Sequence, residues 1–239
     1  MSDILSPENR ILKNGMPVFS VSLRSVSHFF GAVPALGNIN ITFNKGDCAV
    51  IKGHNGAGKS TLLYLLSTLL KPTFGSMLIN GSTVQNIKVR TAIGFLSHKP
   101  MLYPDLTAAQ NLKMYAGLYG VNPEDSADEL RERFDLSDFF DDRSVGVLSK
   151  GELQKVAVAR AFAGNPSLLL LDEPDAGLDA DAVLRLEHVL KDYLGQGGIC
   201  LFSSHNDHLA AQIASREVVL SGGVIVKDDV WSARAGEDG

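Results

Sequence analysis

Cysteine, long apolar runs and an excess of basic charge are all scarce in this chain, and each shortage removes a class of protein. The two cysteines, Cys48 and Cys200, both sit in apolar, strand-like stretches. That setting predicts inert buried thiols rather than a disulfide framework or a metal site. The longest apolar stretches, such as 167–171 and the interrupted 62–70, fall far short of the roughly 20 residues that span a bilayer, so the chain is not expected to cross a membrane. Lys and Arg number 22 against 27 Asp and Glu, a formal net charge of -5. Such a balance gives no general attraction to nucleic acid or to an anionic membrane surface. Residues 1–17 carry Asp3, Glu8, Arg10 and Lys13 among scattered apolar residues, without the continuous apolar core of a secretory signal. They are expected to form a leader strand or tail of a cytosolic protein. There is no internal repeat and no low-complexity segment.

What remains is ordinary globular material: 239 residues, 45% hydrophobic and 21% charged, enough for one large core or a core with a satellite subdomain. Apolar and polar positions alternate over about 19–49, with Gly31, Gly37 and Gly46 as punctuation, which predicts an antiparallel β region. Residues 48–51 form a short buried strand. A glycine-rich turn follows, then Leu62, Leu63, Leu65, Leu66, Leu69 and Leu70 at helical spacing, ended by the segment 71–75; residues 77–81 make another strand and turn. From Thr107 to about Phe140 the pattern is helical, and its acids from Glu124 to Asp142 read as a solvated face. This looks like a helical subdomain inserted over about 99–162. A strand at 168–171, a helix near 181–194 and a strand at 199–203 complete the alternation. Strands alternating with helices imply parallel crossovers and an α/β sheet. The domain is placed at 18–227, between tails at 1–17 and 228–239.

Gly53, His54, Asn55, Gly56, Ala57, Gly58, Lys59, Ser60 and Thr61 fit G-x-x-x-x-G-K-[ST] between a predicted strand and a predicted helix, the context that supports such a match. The glycines let successive backbone N–H groups turn inward onto phosphate oxygens, and the helix adds the positive end of its dipole. Lys59 would neutralise β- and γ-phosphate charge, and Ser60 would offer its hydroxyl to Mg²⁺, a hard ion that prefers oxygen. Asp172 and Glu173 stand just past a leucine strand, where α/β folds place their ligands. There Asp172 would hold Mg²⁺ through its water shell, while Glu173 would polarise the attacking water as general base.

One further loop narrows the field. Leu148, Ser149, Lys150, Gly151 and Glu152 run into Gln154, Lys155 and the alternating apolar residues up to Ala161. The loop resembles the signature loop of ATP-binding-cassette (ABC) ATPases, and the likeness extends over about 18–227. It implies a P-loop NTPase core of the ABC ATPase type, α/β in class, with an antiparallel β subdomain and an inserted helical signature subdomain. In that family the signature loop touches the ATP held by a facing subunit, so the resemblance implies a dimer with a second copy or a related ATPase subunit. It also implies a transmembrane permease partner, and a place at the cytoplasmic face of the inner or plasma membrane.

The same likeness assigns further residues. His205 matches the switch histidine that contacts the γ-phosphate, Asp179 the loop coupling two active sites, and Phe30 the aromatic ring under adenine; Phe29 is expected to point the other way. His28, His188 and His208 match nothing and read as surface or packing residues. Two departures stand out. His98 occupies the place of a glutamine that reaches Mg²⁺ and the water while linking catalysis to the membrane partner; one imidazole nitrogen could replace the amide oxygen. Lys150 and Glu152 stand where glycine and glutamine are usual, so the backbone at Lys150 is expected at negative φ. His98, the segment 99–108 with Asn111 and Leu112, the segment 118–121 and Lys150 together look like the haem-exporter ATPase of cytochrome c maturation. A soluble ABC ATPase of an assembly pathway, such as iron–sulfur cluster biogenesis, is the second hypothesis.

Overall fold

The computed structural model describes residues 20–83, 87–204 and 207–230. Two sheets share the work. The first is antiparallel and pairs β1 (Ser20–Phe30), β2 (Val33–Asn44), β4 (Phe74–Ile79) and β5 (Ser82–Thr83) in the order β2-β1-β4-β5. The second joins β3 (Cys48–Lys52), β6 (Ile93–Leu96), β7 (Leu168–Asp172), β8 (Ile199–Ser203), β9 (Arg216–Ser221) and β10 (Val224–Val230) in the order β10-β9-β3-β8-β7-β6. All its pairs are parallel except the edge hairpin of β9 and β10.

Strands β3, β6, β7 and β8 are buried along nearly their whole length, as expected of a parallel sheet covered on both faces. Alternation along each strand then divides the core in two. Cys48, Val50, Leu169, Leu171, Cys200 and Phe202 face the helices α2 (Ala108–Tyr119), α3 (Pro123–Arg133), α4 (Lys150–Phe162) and α5 (Ala180–Gly195). Ala49, Ile51, Leu168, Leu170, Ile199 and Leu201 face α1 (Lys59–Leu66) and the antiparallel sheet. Each large aliphatic side chain buried in this way contributes about 1.5–3 kcal/mol. Cys48 and Cys200 are both buried as free thiols, in register on neighbouring strands.

The inserted helices are delimited by local chemistry. Thr107 and Gln110 form a capping box on α2, Gly120 closes it in the left-handed region, and Pro123 opens α3 behind an Asn122 cap. Every carboxylate from Glu124 to Asp142 is exposed, in keeping with a solvated face.

The structure differs from the sequence reading at the end of α1 and at Gly37. Helix α1 ends at Leu66 instead of continuing to Leu70: the Ser67 hydroxyl donates to the Tyr64 carbonyl at 2.9 Å, Thr68 turns to φ 65°, and Leu69 is 52% exposed. Gly37 lies inside β2, where its N–H donates to the Gly223 carbonyl at 2.9 Å, instead of marking a turn. After β8 the chain returns through α6 (Asp207–Ile213) to the β9–β10 hairpin, which runs to Val230.

Candidate functional site at the carboxyl edge of the parallel sheet

Because β3, β8, β7 and β6 are parallel and in register, their carboxyl ends emerge along one edge. Lys52, Ser203, Asp172 and Leu96 are their last residues. The expected phosphate loop leaves this edge from β3. Gly53 has φ 145° and Gly58 φ 106°, a region that L side chains rarely adopt. A Cβ on Gly53 would also lie 2.3 Å from the Leu220 carbonyl oxygen, and one on Gly58 2.7 Å from Leu36 Cδ2. Ala57 is buried, and its N–H donates to the His54 carbonyl at 3.1 Å. Lys59 is 8% exposed and its ammonium donates to the carbonyls of Gly53 (2.7 Å) and His54 (3.2 Å), so the loop is wrapped around it. His54, Asn55, Gly56 and Ser60 are exposed, and Thr61 is half-buried. Gly58 is the N-cap of helix α1 and offers no side-chain cap, which leaves the first N–H groups for an anion.

Asp172 ends β7 and is paired in register with Ser203. It is buried, and its Oδ1 accepts a 2.6 Å bond from the Ser203 hydroxyl. Glu173 follows at φ 52°, a left-handed conformation of the kind that costs a non-glycine residue on the order of 1–3 kcal/mol. Its N–H is held by the Ser203 hydroxyl at 3.0 Å and the Ser203 carbonyl at 3.1 Å. From the other side, Gln154 on α4 donates its amide to the carbonyls of Glu173 (3.0 Å) and Pro174 (3.1 Å). Ser203 and Gln154 escaped the sequence reading. Gln154 stood in the quoted motif without a role, and Ser203 depends on cross-strand register for its partners.

The signature segment is ordered by its own cap. Ser149 is the N-cap of α4: its hydroxyl accepts from the Glu152 N–H at 3.3 Å, and its N–H donates to Glu152 Oε2 at 2.8 Å. The Ser149 backbone N–H, then its hydroxyl and the Arg143 guanidinium, hold the Glu152 carboxyl below its ordinary range. Lys150 takes the first helical position, away from positive φ, as expected. Its stem crosses Gly177: the point where a Gly177 Cβ would sit is 3.2 Å from Lys150 Cε, and a Cβ on Gly151 would be 3.0 Å from the Gly177 carbonyl oxygen. Leu148 packs against the helical core. Asp179 caps α5, accepting from the Ala182 N–H at 2.8 Å. The signature loop thus meets the segment leading to Asp179 within one protomer.

His98 is exposed just beyond β6. Since Leu96 pairs with Leu171, the strand that leads to His98 runs beside the one that leads to Glu173. Phe30 is 54% exposed and meets the His28 ring edge-on at 4.7 Å. Phe29 packs edge-on against Phe74 at 6.2 Å and is also partly exposed; a register shift between His28 and Phe29 interrupts simple alternation here. His28 is buried, with Nδ1 3.0 Å from the Lys71 carbonyl oxygen, whereas His188 and His208 are exposed. His205 lies outside the described residues.

Two of the expected metal donors are hard oxygen, the Asp172 carboxylate and the exposed Ser60 hydroxyl. Among the described residues no group of three or more His, Cys, Asp and Glu could hold a metal ion. The two oxygen donors fit Mg²⁺, which keeps water and takes substrate phosphate oxygens beside one or two carboxylates.

Residues 36–176 match the family described as ABC transporter. The chain is 33% identical over 216 residues to the ABC transporter ATP-binding protein NatA of Bacillus subtilis (strain 168), covering 86% of this chain and 87% of the relative. It is 33% identical over 220 residues to the lipoprotein-releasing system ATP-binding protein LolD of Bacteroides thetaiotaomicron, covering 87% and 100%. A solved dimeric ATP-binding cassette in a post-hydrolysis state, bound to ADP and Pi, aligns with a TM-score of 0.80 at 27% identity, over 90% of this chain and 100% of that one. The matched span runs from β2 through the phosphate loop and the signature helix to the turn after Glu173. This chain belongs to the ABC transporter family as an ATP-binding subunit, an ATPase that works on ATP with Mg²⁺.

Proposed function

We propose that this chain supplies energy to a separate transmembrane permease from the cytoplasmic face of the membrane. Two copies, or one copy and a related subunit, close on two ATP molecules; binding energy closes the pair and hydrolysis reopens it. In this reading Gly53 to Thr61 bind the phosphates, Lys59 neutralises their charge, Phe30 stacks on adenine, and Ser60, Asp172 and His98 hold Mg²⁺. When bound, the ion would offset charge on the β- and γ-phosphate oxygens. Glu173 orients the attacking water and accepts its proton, with His98 reaching that water and His205 at the γ-phosphate. Leu148 to Glu152 reach the facing subunit's ATP, and Asp179 couples the two sites.

The observation that carries this reading is the bracing of Glu173. Its strained backbone is held by Ser203 on one side and by Gln154 of the signature helix on the other. A general base is typically worth about 10²- to 10⁴-fold in rate. Glu173→Gln is therefore expected to lose turnover on that scale while still binding ATP. Unchanged turnover would remove Glu173 from the mechanism.

The cargo reading is finer. His98, Lys150 and the segment from Lys99 to Leu112 support an exporter of the haem-exporter type. The two named relatives carry other names, and cargo in such systems is selected by the membrane subunit. Purification of the full chain from detergent extracts tests this reading. A co-purifying polytopic membrane protein that binds haem is expected; a soluble assembly partner in its place would favour the iron–sulfur alternative and sink the transporter reading.

A further inference from the structure

Arg160 sits on the inward face of α4 with 3% of its surface exposed, and among the described residues no carboxylate pairs with it. A buried cation is costly unless hydrogen bonds and aromatic faces offset its lost hydration. Its Nη2 donates to the Phe95 carbonyl at 2.6 Å, and its guanidinium carbon lies 5.1 Å from the centre of the Tyr115 ring, while the buried Nε has no partner among the described residues. Burial holds the guanidinium below its ordinary value, against the pull of Tyr115 and Tyr119. An apolar side chain of similar volume would fill this space without that cost. What the arginine adds is a strong donor aimed at Phe95.

The same tyrosine makes a second backbone contact. Tyr115 Oη donates to the Met101 carbonyl at 2.5 Å, and Met101 holds φ 53°, a region that non-glycine residues seldom occupy. Phe95 and Met101 bracket the segment that carries His98. We propose that Arg160 and Tyr115 form a clamp on the two ends of this segment, which positions His98 beside the Asp172–Glu173 edge and ties it to the helix that opens with the signature loop. Both are positioning residues acting through His98, and the proposal rests on the role given to His98 above. It extends that role by naming what sets the geometry of the segment: two backbone carbonyls, held by side chains from α2 and α4.

The test is a mutant cycle on the purified full chain. Tyr115→Phe keeps the ring against Arg160 and removes only the hydroxyl. Its kcat is expected to fall about three- to tenfold, the rate equivalent of one lost hydrogen bond, with KM for ATP within about twofold of the original. Amide hydrogen exchange should quicken within 97–102 at an unchanged melting temperature. Placed on His98→Ala, the same change should alter kcat by less than about twofold, because the positioned group is gone. If Tyr115→Phe is as fast as the unmodified chain while His98→Ala is slow, the clamp is overturned and the role of His98 stands. Equal losses in both backgrounds overturn the link to His98. A His98→Ala chain of full speed defeats the reading of His98, and the clamp with it.

Discussion

Ser203 spends one hydroxyl on both members of the acidic pair, giving its proton to Asp172 and accepting the N–H of Glu173. Ser203→Ala leaves a buried carboxylate oxygen without its donor, an omission that typically costs about 1–3 kcal/mol. Turnover is expected to drop about tenfold with ATP binding little changed; equal turnover in a single-turnover assay would show that Asp172 needs no such support. Such residues were hidden in the sequence for a definite reason. Gly53 to Ser60 are legible because a strand, a tight loop and a helix bring them together within one short stretch. Ser203 reaches Asp172 only through the pairing of β8 with β7, and Arg160 reaches Phe95 only when α4 packs on β6.

At the scale of an element, the signature helix stands on its cap. Ser149 and Glu152 satisfy each other's backbone N–H groups, and Arg143 pairs with the same carboxylate at 2.5 Å. Because folding lowers the Glu152 carboxyl, this contribution is fully present above its unfolded value of about 4.3 and fades as the pH falls through the folded value. The melting temperature of the chain should therefore exceed that of Glu152→Gln at neutral pH, and the gap should close on acidification. A gap that persists in acid would assign the difference to packing. Lys150 shows what position in a helix decides. At the first helical residue it needs no glycine, and its stem is free to lie across Gly177. The leucines of α1 mislead for the opposite reason: helical spacing continues to Leu70, but Ser67 and Thr68 turn the backbone before Leu69.

At the scale of the whole molecule, the proposed function makes the sheet edge one half of a site and the signature helix the other half of a neighbour's. If two chains complete each other in this way, Glu173→Gln with ATP should run as a dimer on a sizing column. The same chain with Lys59→Ala added should run as a monomer, because Lys59 is the charge at the phosphate loop. A monomer in both cases would separate hydrolysis from pairing. The alternation of strands and helices from β3 to β8, the buried strands β3, β7 and β8 and the motif residues were determined by the sequence itself. Hydrophobic period and loop chemistry act over a few residues, and their pattern is written in the chain. The division of the core by strand alternation, the return of the chain to β9 and β10, the bracing of Glu173 and the contacts of Arg160 were decided by tertiary structure. Each requires residues distant in sequence to meet, and only the registered pairing of strands and the packing of helices on them brings those residues within bonding distance.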